Sequence, residues 1–106
     1  ETEESFRRLK ELGKEISQLD IEIAKLDPKK DIAEIDKLTD RLKKLEAEYN
    51  SLFDSTETNL TSGQIDELLR DIENGGDKLD ILKAKLKDAQ TALAKKMELW
   101  YNQQCV

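Results

Sequence analysis

The sequence predicts an all-α fold, namely an antiparallel, left-handed three-helix bundle with a long third helix. Two observations support this prediction. Charged residues make up 40% of the 106 residues and aromatic residues 5%, with a single proline, a composition typical of long helices and coiled coils. Apolar residues recur at alternating spacings of three and four in three successive stretches, which places them on one stripe of each helix. Short connections then favour one domain, residues 1–106, in which the three stripes face one another.

Helix A is predicted over about residues 2–26. Thr2 is a suitable N-cap, and the acidic side chains of Glu3 and Glu4 suit the positive end of the helix dipole. The apolar stripe of this helix consists of Leu9, Leu12, Ile16, Leu19, Ile23 and Leu26. Phe6 and Ile21 widen the stripe, as expected for a helix that contacts two others.

Helix B is predicted over about residues 28–56. Proline cannot continue a helix but suits the first position of one, so Asp27 is expected to be the N-cap and Pro28 the first residue. The connection to helix A is very short, which makes the two helices an antiparallel hairpin. The stripe of helix B consists of Ile35, Leu38, Leu42, Leu45, Tyr49 and Leu52.

Helix C is predicted over about residues 62–103. Thr61 and Gln64 have the spacing of a capping box, in which each side chain binds a free backbone N–H at the helix start. Its stripe, taken from the first heptad onward, consists of Ile65, Leu68, Ile72, Gly75, Leu79, Leu82, Leu86, Ala89, Leu93, Lys96 and Trp100. This helix returns antiparallel to helix B and therefore runs parallel to helix A.

Two adjacent glycines, Gly75 and Gly76, interrupt this third stripe. Asn-Gly is a strong turn signal, and each glycine costs a helix about 1 kcal/mol relative to alanine, so one interpretation is two helices joined by a turn. A continuous helix is favoured instead, because Ile72 and Leu79 stand one heptad apart across the glycines. The pair is then either a candidate hinge or a tolerated weak point.

The third helix is expected to project past the bundle. A helix A of about 25 residues spans roughly 38 Å, whereas a helix C of about 42 residues spans roughly 63 Å. The part of helix C beyond about Lys95 therefore extends past the C-terminal end of helix A. The large side chains in that part are Met97, Leu99, Trp100 and Tyr101. They are expected to close the end of the bundle, to contact a following repeat, or to bind another protein.

The segment from Gln64 to Leu79, QIDELLRDIENGGDKL, resembles the start of the third helix of a spectrin-like repeat. Three heptad-bearing helices within about 106 residues are similar to the whole of such a repeat. The resemblance implies a cytoskeletal or membrane-skeleton spacer built of tandem repeats, in which the third helix continues into the first helix of the next repeat. Spectrins, dystrophin-like proteins, plakins and nesprins are of this kind.

Residues that carry catalytic chemistry are scarce in this sequence. There is no histidine, the single cysteine is Cys105, and no glycine-rich phosphate loop is present, so no catalytic residue, metal ligand or cofactor-binding residue is predicted. The neighbouring carboxylates Glu46 and Glu48 are interpreted as solvated helix surface. The segment 71–82 is rejected as a calcium loop, because Leu82 occupies the position that needs a bidentate glutamate.

The distribution of charge and hydropathy restricts the partners. The net charge is −6, and acidic residues alternate with lysines along the whole chain. No basic face that could bind nucleic acid is therefore predicted. The sequence contains no run of 18 apolar residues, so direct membrane insertion is not predicted. Its single cysteine favours the reducing environment of the cytoplasm.

The sequence favours two hypotheses for function, and a secreted bacterial or viral helical effector that binds a host protein is a third that stays open. The first is a non-enzymatic structural spacer or scaffold repeat of a cytoskeletal or membrane-skeleton protein, monomeric in isolation, which sets distance, bears tension and joins the next repeat through its C-terminal overhang. The alternative is a coiled-coil assembly or adaptor module that binds the helices of a partner protein. A monomeric mass in solution favours the first hypothesis, and a stable oligomer favours the second.

Overall fold

The computed structural model describes residues 1–104 as an all-helical chain, which confirms the predicted all-α class. Two short 3-10 turns, Glu57–Asn59 and Asp77–Leu79, lie in the connections. No strand occurs within the described residues. Four helices make up the fold: α1 (Thr2–Ala24), α2 (Ile32–Thr56), α3 (Ser62–Glu73) and α4 (Asp80–Gln104).

The prediction of one long helix C over residues 62–103 is wrong. The chain turns after Glu73, and α4 folds back along α3. The Gln90 amide donates a hydrogen bond to the Asp66 carboxylate, and Ile65 and Leu93 line the same surface groove. In a continuous helix these last two residues would stand roughly 42 Å apart. The structure therefore has an antiparallel α3–α4 hairpin, and the third predicted helix is two helices.

The heptad pattern failed to reveal the turn for a physical reason. Ile72, near the end of α3, and Leu79, just before α4, are both fully buried. Two residues one heptad apart are expected on the same side of a helix, but this spacing says nothing about whether the chain between them is straight. Two helices that pack on the same core satisfy that relation whether the chain between them is straight or folded. The turn signal of Asn74-Gly75 therefore agrees with the structure, whereas the continuous helix inferred from the heptad register does not.

The α1–α2 hairpin agrees with the expected antiparallel pairing. Arg8 forms an ion pair with Glu48 at 2.9 Å, and Arg41 forms one with Glu15 at 2.6 Å. These four side chains are largely exposed, so the pairs fix the register more than they add stability.

The boundaries of this hairpin differ from the prediction. Helix α2 begins at Ile32 with Asp31 as its N-cap, so Asp27 does not cap a helix that starts at Pro28. The Asp27 carboxylate instead accepts the backbone N–H of Lys29 at 2.8 Å and organises the connection.

Helix α3 runs parallel to α1 and begins where the sequence placed it. The capping box is present, since the Gln64 backbone N–H donates to the Thr61 hydroxyl at 3.1 Å and the Thr61 N–H donates to the Gln64 side chain at 2.9 Å. Between α1 and α3, the Ser17 hydroxyl donates to the Asp71 carbonyl at 3.0 Å. Between α4 and α2, Lys85 lies 2.8 Å from the Asp54 carboxylate.

The core lies between the four helices. Tyr49 and Phe53 of α2 stack with ring centroids 6.4 Å apart. Burial, together with the charge of the Asp71 carboxylate, raises the pKa of Tyr49, so this phenol stays neutral. The fully buried side chains are Leu9, Leu12, Ile16, Tyr49, Phe53, Ile65, Leu68, Ile72, Leu79 and Leu86, and each aliphatic one contributes roughly 1.5–3 kcal/mol relative to an exposed position.

The order of the helices places the start of α1 and the end of α4 at the same end of the molecule. Lys10 of α1 lies 3.9 Å from Glu67 of α3, and Gln90 contacts the neighbouring residue, Asp66. Helix α4 is antiparallel to α3, so its residues after Gln90 run toward the start of α1 and past it. The described residues span 64 × 26 × 16 Å, and the overhang lies opposite the end at which the sequence placed it.

Candidate protein-binding segment of α4 and the turn that positions it

Helix α4 leaves the bundle after Leu93, which is half-buried against the core. Every residue from 94 to 104 is exposed, and this projecting segment is roughly 16 Å of helix. All of the contact residues expected from the sequence lie on it with large exposed fractions: Met97 62%, Leu99 62%, Trp100 63% and Tyr101 63%. We refer to residues 94–104 as the α4 tip.

The apolar side chains of the α4 tip point in more than one direction. Met97, Trp100 and Tyr101 line one shallow groove together with Lys96. Leu99 is outside that groove, because spacings of one, three and four place the four groove residues on one side of the helix and Leu99 on another. A helix that is apolar on several sides is normally covered on several sides. The α4 tip is therefore suited to a concave binding surface more than to a single flat one.

The charge of α4 differs from that of the rest of the chain. Five lysines and three acidic residues give this helix a net charge of +2, whereas the whole chain carries −6. Lys96 lies within the apolar groove of the α4 tip and Lys95 beside it. A cation on the rim of an apolar contact favours an acidic binding surface, mainly through orientation and association rate.

The candidate hinge residues, Gly75 and Gly76, lie in the turn that directs α4 back along α3. The Asp20 carboxylate of α1, only 5% exposed, accepts the backbone N–H of Gly76. The Lys83 ammonium of α4 donates to the Gly75 carbonyl at 2.6 Å. These two hydrogen bonds tie the turn to α1 and to the first turns of α4, and thereby fix the direction of the α4 tip.

Sequence reasoning found the two glycines but missed Asp20 and Lys83. Asp20 follows Leu19, a stripe residue of helix A, and an acidic residue at the edge of a buried stripe was the only available signal. Its partner is 56 residues away in sequence, so the hydrogen bond cannot be inferred from local spacing.

A second acidic residue, Glu46 of α2, lies near Asp20. Burial raises the pKa of the Glu46 carboxyl, the Asp20 charge raises it further, and Lys78 lowers it. A carboxyl whose pKa is higher in the folded than in the unfolded protein favours folding most at low pH, and that contribution is lost as the pH rises through the folded-state pKa.

We therefore expect Glu46→Gln to be slightly more stable than the parent protein at pH 7, by less than about 1 kcal/mol because Glu46 is partly solvated. The difference should shrink as the pH falls below about 4, where the unfolded glutamate is also protonated. Urea unfolding at both pH values measures it. Asp40→Asn, which removes an exposed carboxylate from the same helix, is the control, and an equal gain in that variant would contradict the assignment.

Within residues 1–104, no group of three His, Cys, Asp or Glu side chains is placed to hold a metal ion. Cys105 lies outside the described residues. Of the four helices, none combines the length and apolar composition needed to cross a membrane. Comparisons with protein-family models, curated proteins and solved structures gave no match to this chain.

Proposed function

We propose that this protein is a non-enzymatic assembly module whose α4 tip binds an apolar, acid-rimmed groove formed by helices of a partner protein. The observation that carries this proposal is a helical segment on which four large apolar side chains are each more than 60% exposed. Concentrated apolar exposure of this kind is characteristic of interaction sites.

The chemistry of the α4 tip specifies the binding mode. An amphipathic helix that enters a groove uses anchors spaced by three, four and seven residues. Met97 and Trp100 have such a spacing, and Tyr101 follows Met97 by four. Trp100 is expected to dominate the affinity, because tryptophan is strongly enriched among the residues that contribute most to interfaces. Lys95 and Lys96 favour carboxylates on the groove rim.

The spectrin-like resemblance applies, in this proposal, to the first three helices only. Helices α1, α2 and α3 would form the three-helix unit, with α1 parallel to a short third helix, and α4 would be an added recognition helix. The cytoskeletal or membrane-skeleton setting implied by the resemblance is then where a partner is to be sought.

The tension-bearing spacer hypothesis receives less support. A spacer in a tandem array needs the chain to enter and leave each repeat at opposite ends. Here α1 starts and α4 ends at the same end of the bundle, so a pulling force would act across the bundle instead of along it. This geometry favours the assembly module.

The proposal predicts a fluorescence change that Trp100 reports directly, since it is the only tryptophan. The probes are two synthetic helical hairpins with the same leucine-lined groove, one rimmed by glutamate and one by lysine. We expect the glutamate-rimmed hairpin to shift the Trp100 emission to the blue. Binding measured by calorimetry should be about 30-fold weaker for Trp100→Ala, as for a residue that dominates an interface.

Two controls separate this effect from a change in folding. Ile81→Ala removes another exposed side chain of α4, 83% exposed and far from the tip, and should bind like the parent protein. Trp100→Ala should unfold at the same temperature as the parent, because its side chain has no contact with the core. The proposal fails if neither hairpin binds, or if Trp100→Ala binds as well as the parent protein.

A further inference from the structure

The residues on either side of the glycine turn between α3 and α4 have helical geometry. Asn74, which ends α3, has φ −84° and ψ −1°, and Asp80 has φ −59° and ψ −39°. Gly76 is extended, with φ −81° and ψ −161°. No described residue has a positive φ. Rotation about ψ at Gly76 therefore brings the turn toward a continuous helix, and no described residue has to leave a left-handed conformation.

The heptad register makes that straightened helix amphipathic. A continuous helix through residues 62–104 would carry the buried side chains of α3 and α4 on one stripe. These side chains are Ile65, Leu68, Ile72, Leu79, Leu82 and Leu86. The folded hairpin and the straight helix thus bury the same side chains, which a turn sequence without this register would not allow.

Only a few contacts distinguish the folded turn from the straight one. They are the Asp20 carboxylate on the Gly76 N–H, the Lys83 ammonium on the Gly75 carbonyl, and the Leu79 side chain packed against Gly75. Straightening the turn breaks them and carries α4 away from its own α3. The apolar faces exposed in this way need an equivalent surface, and a second copy of the chain supplies an identical one.

We propose that two copies of this protein exchange α4 through Gly75-Gly76, so that α3 and α4 of each copy form one continuous helix. Each α4 then packs on α3 and α2 of the other copy. An exchange of identical elements rebuilds every contact outside the turn, and a short hinge favours it. The Asp20–Gly76 hydrogen bond is the contact that holds the monomeric form.

The test uses cross-linking between α3 and α4 with a short bis-maleimide. Asp66 and Gln90, whose side chains are hydrogen-bonded across the hairpin, are replaced by cysteine in a Cys105→Ser background. A folded hairpin gives a cross-link within one chain, whereas exchange gives a covalent dimer on a denaturing gel. We expect dimer bands to appear with rising concentration and to increase in Asp20→Ala and Gly76→Ala.

For Gly76→Ala we expect a dimer dissociation constant roughly 20-fold lower, because alanine favours the helix about fivefold over glycine in each chain. Gly63→Ala is the matched control, since Gly63 is exposed near the start of α3 and a Cβ there meets only the Thr61 hydroxyl at 3.9 Å. Circular dichroism confirms that each variant is folded.

Cross-links confined to one chain in every variant, at every concentration, would overturn the exchange. So would a dimer by light scattering whose cross-links remain within each chain. Trp100→Ala separates this inference from the proposed function, since it should weaken binding to the glutamate-rimmed hairpin about 30-fold and leave the cross-linking pattern unchanged.

Discussion

Replacing Gly75 with leucine is expected to destabilise the protein by about 3 kcal/mol, as over-packing of a filled core does. A Cβ at Gly75 would overlap the Leu79 Cδ1, and it would lie 3.0 Å from the Leu79 Cγ and 3.2 Å from the Ile72 carbonyl oxygen. Leu79 is fully buried, so its side chain would have to shift within the core to make room. A continuous helix C would give the opposite sign, because leucine would improve helix propensity and extend the apolar stripe.

Urea unfolding followed by circular dichroism measures this change. Gly13→Ala is the control for glycine in a buried helical site, since a Cβ there would make ordinary contacts of 3.5 Å with Ile72 and Tyr49. We expect that control to gain about 0.5–1 kcal/mol. If Gly75→Leu were also more stable than the parent protein at a concentration where both are monomeric, the turn between α3 and α4 would be wrong and a continuous helix C would be correct.

Replacing Leu79 with alanine is expected to cost about 3 kcal/mol, within the range measured for leucine truncation in cores. Leu79 is fully buried immediately before α4, where it packs against the turn. Its loss leaves a cavity where α4 begins to pack on α3. The free energy of unfolding from urea titration, together with a fall in the melting temperature, reports the effect.

Ile81→Ala provides the comparison, because Ile81 is two residues further along and 83% exposed. That substitution should change the free energy of unfolding by no more than about 0.5 kcal/mol. A cost below about 1 kcal/mol for Leu79→Ala would mean that the start of α4 is not docked on the bundle. The folded-back position of α4 would then be incorrect.

The sequence by itself determined most of the residues that face the core and most of the helical segments. Spacings of three and four, the Thr61–Gln64 capping box and the polar connections depend on interactions within a few residues. They therefore gave the core stripes and the helical content. A projecting segment around Trp100 was also expected, but from the length of a continuous helix C, which is wrong, and at the opposite end of the bundle.

Only the tertiary structure decided the direction of α4. A heptad register across Gly75-Gly76 is compatible with a straight helix and with a hairpin, because both bury Ile72 and Leu79. The choice depends on Asp20, whose carboxylate reaches the Gly76 N–H from α1 across 56 residues of sequence, and on the close packing of Leu79 against Gly75. Such contacts between distant residues produce no periodic pattern in the sequence. They nevertheless determine the end of the molecule from which the α4 tip projects.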